Sequence, residues 1–253
     1  MVNVIMHGCN GRMGRYITDL IKQDDAINIV AGVDPYQGIT NDYPVYSSID
    51  EVEQAADAVI DFSNAGVADF LLDWCVAKKI PCVFCTTGLS PDQLTKLEEA
   101  SKQVAILRSA NMSLGVNVLM KLLKDAAAVF APAGFDIEII EKHHNQKLDA
   151  PSGTAIALAD SINEEFDNSF EYVYDRSQVR KKRESKEIGI SAVRGGTIVG
   201  DHDVIFAGPD EVITFSHRAY SRAVFAKGAI QAAKFLAGKA AGLYDMSQVI
   251  ASK

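Results

Sequence analysis

Two adjacent histidines, a lysine and a Ser-Gly-Thr group lie close together in the segment EKHHNQKLDAPSGTA, residues 141–155. An imidazole titrates near neutral pH and suits general acid–base catalysis, and Lys147 adds a mobile positive charge and a proton. Gly153 permits close approach to the backbone, and the N–H groups near Thr154, together with its hydroxyl, can bind a carboxylate. The segment therefore predicts proton transfer to a small anionic substrate.

The two histidines, His143 and His144, follow a strand-like run and need not share a face of it. A lone histidine at such a position is more often structural than catalytic. Two imidazoles beside an ammonium group and a predicted helix start favour a catalytic role. The pattern alone does not decide which histidine carries that role.

A glycine loop follows the first strand-like run, in VNVIMHGCNGRMGRYI, residues 2–17. Gly8, Gly11 and Gly14 have G-x-x-G-x-x-G spacing, and Asn10 stands where the usual fingerprint has its second glycine. Asparagine tolerates left-handed backbone better than most residues, so the tight turn is preserved. The helix start that follows suits a pyrophosphate. A sharp strand-to-helix turn without a ligand is the alternative.

An acidic residue stands where a dinucleotide-binding fold would use one. Asp34 ends the second strand-like run, 20 residues beyond Gly14, where a carboxylate can accept the adenosine ribose hydroxyls. No lysine or arginine follows directly, and a carboxylate repels a 2′-phosphate. We therefore expect NADH to bind at least as well as NADPH, although Arg12 in the loop can still reach such a phosphate.

Two further loops end the fourth and fifth strand-like runs, CTTG at residues 85–88 and SANMS at residues 109–113. Ligands of open α/β sheets bind beyond the carboxyl ends of the strands. Thr86, Thr87, Ala110 and Asn111 are therefore expected to line the ribose and nicotinamide side. A plain turn at Thr87 is the alternative. Combined with residues 141–155, these loops predict hydride transfer to a small anion, with a protein group protonating the product.

The elements that position these residues change in type halfway along the chain. Strand-like and helical runs alternate up to residue 113, which predicts a parallel sheet with helices on both faces. A helix over 117–130, a half-buried strand over 135–144 and a helix over 154–165 follow. The strand-like runs after them predict a mixed or mostly antiparallel sheet that is open on one face. An Ala-rich helix over 223–238 is expected to return to the first domain.

The predicted fold is therefore α/β. A Rossmann-like dinucleotide-binding domain, residues 1–113 and 224–253, is interrupted by an inserted α+β domain, residues 114–223, built on a mixed and largely open sheet. We expect the inserted domain to bind substrate.

Composition excludes several classes of protein. The net charge of −8 argues against nucleic-acid binding. The one basic run, residues 180–183, is interpreted as a solvated hairpin or loop, with a nucleic-acid patch as the alternative. No signal peptide is visible, and no apolar run reaches the roughly 20 residues that span a bilayer. We expect a cytoplasmic protein without nucleic-acid or membrane partners.

The four cysteines show no disulfide framework. Cys82 and Cys85 form a C-x-x-C pair within an apolar strand-like run, where residues three apart point to opposite faces. No second such pair or nearby histidine completes a metal shell. Reduced structural thiols and no metal site are expected.

The segment EKHHNQKLDAPSGTA matches the pattern E-x-H-H-x-x-K-x-D-A-P-S-G-T-A without a break. This motif resembles that of the dihydrodipicolinate (4-hydroxy-tetrahydrodipicolinate) reductases of bacterial lysine and diaminopimelate synthesis. The segments GRMGR, TTG, SANMSLGV, VRGGTIVGDHDV and KGAIQAAKFLAGKAAGLYDM resemble the same family, so that the likeness covers nearly the whole chain.

The resemblance implies a role for each matching residue. His143 would be the acid–base group and Lys147 the proton donor, while His144, Gly153 and Thr154 would contact the substrate carboxylates. The residues implied to hold the cofactor are Gly8, Cys9, Asn10, Gly11, Arg12, Met13, Asp34, Cys85, Thr86, Thr87, Ala110, Asn111 and Met112.

The resemblance also implies a reaction and an assembly. The reaction would be NAD(P)H-dependent reduction of a cyclic dicarboxylate. The assembly would be a homotetramer formed through the sheet of the second domain, and the family accepts NADH and NADPH in varying ratio. This chain departs from the family at Cys85, where glycine is common, and at Asn10, a variable loop position.

Two rival interpretations stay open at this stage. An aspartate-semialdehyde or homoserine dehydrogenase-like enzyme would share the dinucleotide domain, and the former would need a nucleophilic cysteine near the nicotinamide. A non-catalytic NAD(H)-sensing protein on the same fold would bind the cofactor without needing the histidine–lysine cluster.

Overall fold

The computed structural model describes residues 1–252, which form two compact units. Unit 1 consists of Met1–Leu114 and the segment from Arg222 onwards, and unit 2 of Gly115–Ser221. These boundaries lie within two residues of the predicted domain limits. The functions assigned to the two domains stay predictions.

Twelve strands occur among the described residues: β1 (Val2–His7), β2 (Ile27–Val33), β3 (Val45–Tyr46), β4 (Ala58–Asp61), β5 (Cys82–Phe84), β6 (Ala105–Leu107), β7 (Asp136–His143), β8 (Glu171–Val173), β9 (Glu187–Arg194), β10 (Gly200–Ala207), β11 (Val212–Ala219) and β12 (Gly242–Tyr244). Seven α-helices accompany them: α1 (Arg12–Ile21), α2 (Ala68–Lys78), α3 (Pro91–Ser101), α4 (Leu114–Phe130), α5 (Gly153–Asn163), α6 (Ala223–Leu236) and α7 (Met246–Ala251).

Unit 1 contains a parallel sheet of seven strands in the order β12-β6-β5-β4-β1-β2-β3. The order reverses between β1 and β4, which makes the carboxyl ends of these two strands the place where a doubly wound sheet binds its ligand. The Rossmann-like prediction is confirmed.

Both faces of this sheet are covered, because alternate residues of its strands point to opposite sides. Val4 and Met6 pack into a core formed with α1, α6 and α7, whereas Ile5 packs into a second core with α2 and α3. The alanines of α6 allow a close approach to the sheet. A methyl group at Gly228 of this helix would lie only 1.6 Å from the Met112 carbonyl oxygen.

Unit 2 contains a mixed five-stranded sheet in the order β11-β10-β7-β9-β8. Strand β7 is antiparallel to β10 and parallel to β9. Along β7, Ile137 and Ile139 are buried against α4 and α5, while the residues between them are partly exposed. The predicted mixed sheet with one open face is confirmed.

The two edge strands of the unit 1 sheet are among the elements that the sequence did not reveal. Strands β3 and β12 are short and contain no fully buried residue, unlike the equally short but buried β5 and β6, and helix α7 also went unpredicted. One of the strand-like runs of the second half, TIVGDHDVIFAG at residues 197–208, forms a strand only over Gly200–Ala207. None of the helices in residues 1–252 combines the length and apolar character that crossing a bilayer requires.

Candidate active site

Strand β7 brings a carboxylate and an imidazole to the same side of the unit 2 sheet. The alternation that buries Ile137 and Ile139 continues through Glu141 and His143, which are fully buried and 8% exposed, respectively. Glu141 Oε2 lies 2.7 Å from His143 Nδ1. The strand therefore ends in a histidine whose ring is held from its Nδ1 side.

Glu141 is surrounded by donors. The Arg194 guanidinium binds both of its oxygens at 2.7 Å, and the Ser152 backbone N–H donates to Oε1 at 2.9 Å. Burial alone would raise the pKa of Glu141, but these hydrogen bonds and the His143 contact hold it below its ordinary value. An ionised carboxylate accepts at both oxygens, so Nδ1 of His143 is the donor.

The other ring nitrogen of His143, Nε2, is available for proton transfer. Burial lowers the pKa of His143 below its ordinary value, and the nearby positive charges of Lys147 and Arg194 act in the same direction, while Glu141 opposes them. A methyl group at Gly200 would lie 3.0 Å from Nε2, so glycine keeps this nitrogen uncrowded. A neutral imidazole with an open Nε2 can accept or return a proton near neutral pH.

A second histidine supports the cluster from the neighbouring strand. His202 of β10 lies opposite Glu141 in the sheet, and its ring contacts that of His143 edge-on at 5.2 Å between centroids. Ser152 Oγ lies 3.0 Å from His202 Nε2 and also accepts the N–H of Ala155, capping α5. Burial lowers the pKa of His202 to about 4, so this ring is neutral near pH 7.

Lys147 and the start of α5 complete the unit 2 cluster. Lys147 Nζ pairs with Asp149 Oδ1 at 2.8 Å, and this ion pair holds the pKa of Asp149 down although partial burial opposes it. Helix α5 begins at Gly153, where an added methyl group would meet nothing within 4 Å. Space is therefore present beside the first N–H groups of this helix and Thr154. His144 is partly buried at the start of the intervening turn.

The glycine loop of unit 1 has the steric requirements that its sequence predicted. Gly8 has a φ of +81°, and a methyl group there would lie 2.6 Å from the Phe62 carbonyl oxygen. A methyl group at Gly14 would lie 2.3 Å from the Gly8 carbonyl oxygen, so glycine is needed where α1 packs against the loop. Gly11 precedes α1 as its N-cap and has no side chain to cover the first N–H groups.

A cleft of about 380 Å³ opens beside this loop. Gly8, Gly11 and Asp34 line it, together with Ser63, Asn64 and the Phe62 ring. Asp34 accepts the backbone N–H of Asn10 at 3.0 Å and that of Tyr36 at 2.9 Å, which fixes its carboxylate at the carboxyl end of β2. No lysine or arginine is among the cleft's lining residues within the described chain.

A second cleft of unit 1, of about 300 Å³, shares Phe62 with the first. The predicted residues that line it are Arg12, Met13, Cys85, Thr87, Ala110, Asn111 and Met112. The two clefts together run along the carboxyl edge of the parallel sheet, on both sides of the glycine loop. Their lining contains ten of the thirteen residues predicted for the cofactor.

The other three predicted cofactor residues point elsewhere. Cys9 is fully buried in the core, and burial raises the pKa of its thiol to about 11. The Asn10 side chain bonds the Tyr36 carbonyl and receives a hydrogen bond from Asn41, and Thr86 is buried and donates to Asp61. Cys9 and Asn10 of the glycine loop and Thr86 after β5 thus have side chains that point inward, so they shape the site without lining either cleft.

Some polar residues at these sites were missed by sequence reasoning. Asp61 and His7 form a buried pair beneath the first cleft, and Glu141 and Arg194 hold His143. The alternation along β7 is the signal that could have placed Glu141 on the same face as His143. Arg194 is far away in sequence, and nothing local indicated its contact.

Cys82 and Cys85 of the C-x-x-C pair lie on opposite sides of the unit 1 sheet. Cys82 packs in the core on one side of the unit 1 sheet and Cys85 against the core on the other, which confirms that the pair diverges. Burial raises the pKa of both thiols well above the ordinary value. Within residues 1–252, no group of three or more His, Cys, Asp or Glu side chains is arranged to hold a metal ion.

Two family models cover nearly the whole chain. The model described as dihydrodipicolinate reductase, N-terminus, matches residues 2–112, and the model of the C-terminus matches residues 115–250. The chain belongs to the dihydrodipicolinate reductase family. It is therefore an oxidoreductase, as predicted, and the rival interpretations lose their support.

Curated relatives agree with the family models over their full lengths. The 4-hydroxy-tetrahydrodipicolinate reductase of Caldanaerobacter subterraneus subsp. tengcongensis is 54% identical over 250 residues, which cover 99% of this chain and 98% of the relative. The enzyme of the same name from Clostridium tetani is 50% identical, covering 100% of this chain and 98% of the relative.

Solved structures share the fold. The dipicolinate-bound dihydrodipicolinate reductase of Paenisporosarcina sp. TG-14 has a TM-score of 0.79 at 24% identity, covering 97% of each chain. GenD2 from gentamicin A biosynthesis, solved in complex with NAD, has a TM-score of 0.64 at 12% identity, covering 93% of this chain and 85% of that one. At these identities, both likenesses concern the fold alone.

Proposed function

We propose that this chain catalyses the NAD(P)H-dependent reduction of dihydrodipicolinate, derived from 4-hydroxy-tetrahydrodipicolinate, to tetrahydrodipicolinate in lysine and diaminopimelate biosynthesis. The observation that carries the proposal is the acid–base cluster of unit 2. In this member of the reductase family, the buried Glu141–His143 pair is followed by a loop that contains Lys147 and leads to the open start of α5. These groups can bind the carboxylates of a cyclic dicarboxylate and protonate it after its reduction.

The residues of unit 1 fit a nicotinamide dinucleotide. Added methyl groups at Gly8 and Gly14 would collide with the backbone, and the glycine loop opens on the first cleft beside the start of α1. A helix N-terminus offers N–H groups to a diphosphate, and Asp34 offers a carboxylate to ribose hydroxyls. When bound, the reduced cofactor supplies the hydride from its nicotinamide ring.

Asp34 supports the expectation that NADH binds at least as well as NADPH. A 2′-phosphate on the adenosine ribose would bring negative charge to a cleft whose described lining includes Asp34 and neither lysine nor arginine. Arg12 lines the second cleft instead. This arrangement supports the sequence-based preference.

The proton is handled by His143 and Lys147. Hydride addition to the conjugated C=C–C=N system of the substrate places negative charge on the ring nitrogen. The ammonium group of Lys147 stabilises that charge and donates the proton. His143 assists through Nε2, because Glu141 occupies its Nδ1.

The substrate carboxylates are held at the start of α5. The N–H groups at Gly153 and Thr154 belong to the first turn of a helix whose partial positive charge favours an anion. Ser152 Oγ accepts a hydrogen bond from the Ala155 N–H, and this cap fixes the conformation of the first turn. His144 supplies a further polar contact from the same loop.

The enzyme is proposed to act in the cytoplasm as a homotetramer assembled through the open face of the unit 2 sheet. Val193 and Val212 support this assembly. They are 46% and 62% exposed, and their sheet partners Lys142 and Ala207 lie on that open face.

The proposal is tested by following the absorbance of NADH and NADPH with freshly generated dihydrodipicolinate. Substrate-dependent oxidation is expected with both cofactors, with NADH at least as effective as NADPH in kcat/KM. A chain that binds NADH but oxidises neither cofactor with this substrate would contradict the proposed reaction.

A further inference from the structure

A histidine and an aspartate meet at the point where the strand order of the unit 1 sheet reverses. His7 is the last residue of β1 and Asp61 the last residue of β4, and their strands are neighbours. His7 Nδ1 lies 2.8 Å from Asp61 Oδ1, and Asp61 is fully buried. The pair thus lies at the carboxyl edge where ligands of doubly wound sheets bind.

The remaining contacts of Asp61 all come from donors. Ser63 donates to Oδ1 from its backbone N–H at 3.1 Å and from its hydroxyl at 2.6 Å, and the Thr86 hydroxyl donates to Oδ2 at 2.7 Å. A carboxylate that accepts at both oxygens in this way requires His7 Nδ1 to donate as well. Nε2 is then the nitrogen of His7 that can serve a ligand.

His7 also lines the first cleft, together with Gly8, Gly11 and Asp34. Of the cleft's lining residues within the described chain, only His7 and Asp34 titrate, and only His7 can become positively charged. The cleft proposed for the adenosine diphosphate half of the cofactor therefore has one side chain able to neutralise a diphosphate. The fully buried carboxylate of Asp61 lies directly behind the ring, at its Nδ1 side.

We propose that His7 binds the cofactor diphosphate as an imidazolium, donating from Nε2 while Asp61 holds Nδ1. The inference rests on the proposed function, because it concerns the cofactor of that reaction. It assigns Asp61 as the positioning residue behind the ring, supported by Ser63 and Thr86. The groups that face the imidazole are Asp61 from β4 and, across the cleft, Asp34 from the end of β2.

The test is the dissociation constant of NADH, measured by calorimetry between about pH 6 and about pH 8, where an imidazole changes charge. The intact chain is compared with His7→Gln, which keeps a polar side chain without a titrating ring. His217→Gln is the matched control, because His217 belongs to β11 of unit 2. Binding of pyridine-2,6-dicarboxylate and the melting temperature are measured on each variant.

For the wild type, the Kd for NADH is expected to rise about tenfold as the pH rises, the loss expected for one charge-assisted hydrogen bond. His7→Gln should bind NADH about tenfold more weakly at the acidic end and show little pH dependence. His217→Gln should follow the wild type. Binding of pyridine-2,6-dicarboxylate should be unchanged in His7→Gln.

A pH-independent Kd in the wild type, or the same pH dependence in His7→Gln, would overturn the role of His7. Equal weakening of NADH and pyridine-2,6-dicarboxylate binding in His7→Gln would also overturn it, by showing general damage to the fold. Failure of the wild type to bind NADH at any pH would instead contradict the proposed function itself.

Discussion

At the scale of single residues, Glu141 determines what His143 can do. It is buried, ionised and engaged at both oxygens, so it keeps Nδ1 of His143 protonated and directs Nε2 outwards. Without Glu141, the ring would lose both its orientation and the negative charge that opposes the lowering of its pKa. Glu141 is a positioning residue, whereas His143 is proposed to meet the substrate.

The Glu141→Gln variant should lower the pKa of His143 further below its ordinary value. The carboxylate's hydrogen bond and charge act to raise that pKa, while burial, Lys147 and Arg194 lower it, so only the lowering influences remain in the variant. NMR titration of the imidazole C–H signals measures the shift, and the chain has five histidines to assign. An unchanged or higher pKa of His143 would show that Glu141 does not control it.

Lys147→Ala should lower kcat by about 10²–10⁴-fold, as expected for loss of a general acid. The matched control is Lys142→Ala in the same motif, because Lys142 pairs with Asp203 at 2.6 Å on the other face of β7. Steady-state kinetics with NADH should leave the control near wild-type kcat. Equal losses in the two variants would mean that the motif needs positive charge in general and not a proton at Lys147.

At the scale of elements, a substitution at the start of α5 should affect substrate binding and leave stability nearly unchanged. Gly153→Ala adds a methyl group that meets no atom within 4 Å, so the free energy of unfolding should change by less than about 1 kcal/mol. The same methyl group would occupy the space proposed for a substrate carboxylate. KM for dihydrodipicolinate should therefore rise about tenfold or more, the equivalent of one lost charge-assisted contact. An unchanged KM would remove this helix start from the substrate site.

The buried ring of His202 predicts acid sensitivity of unit 2. Its pKa falls from 6.5 to about 4 on folding, so the unfolded state takes up the proton first as the pH drops. Stability should be fully present above pH 6.5 and should decline towards about pH 4, by a few kcal/mol at most. His202→Gln should show a smaller decline over this range.

Far-UV circular dichroism is the suitable probe for that comparison. The chain's one tryptophan, Trp74, lies in α2 of unit 1, so its fluorescence does not report on unit 2. Urea titrations at several pH values give the free energy of unfolding for the wild type and His202→Gln. The same pH dependence in both proteins would show that His202 does not cause the acid sensitivity.

The elements were predictable where a pattern repeated several times. Burial alternates over all eight residues of β7, and Ser90 with Gln93 forms a capping box at the start of α3, where Pro91 is the first helical residue. The edge strands β3 and β12 were not predictable, since they are short and partly exposed, whereas the three-residue strands β5 and β6 are wholly buried and apolar. Long-range pairs such as Arg194 with Glu141 were also not predictable, because only the parallel pairing of β7 with β9 brings them together.

At the scale of the whole molecule, the two compact units are proposed to have different tasks. Unit 1 carries the glycine loop and Asp34 proposed for the cofactor, while unit 2 carries His143 and Lys147, which are proposed to handle the proton. The sequence predicted this division because a parallel α/β rhythm stops near residue 114 and resumes in the Ala-rich α6. The inward direction of the Cys9, Asn10 and Thr86 side chains was not predictable, because it depends on the three-dimensional course of two loops, the one after β1 and the one after β5.

The most direct test of the proposed division is the single-site variant His143→Ala, assayed for oxidation of NADH with freshly generated dihydrodipicolinate. We expect kcat to fall by about 10²–10⁴-fold. The Kd of the variant for NADH, measured by calorimetry, should equal that of the wild type, because the substitution does not change unit 1. Turnover equal to that of the wild type, or loss of NADH binding together with activity, would contradict the assignment of proton chemistry to His143.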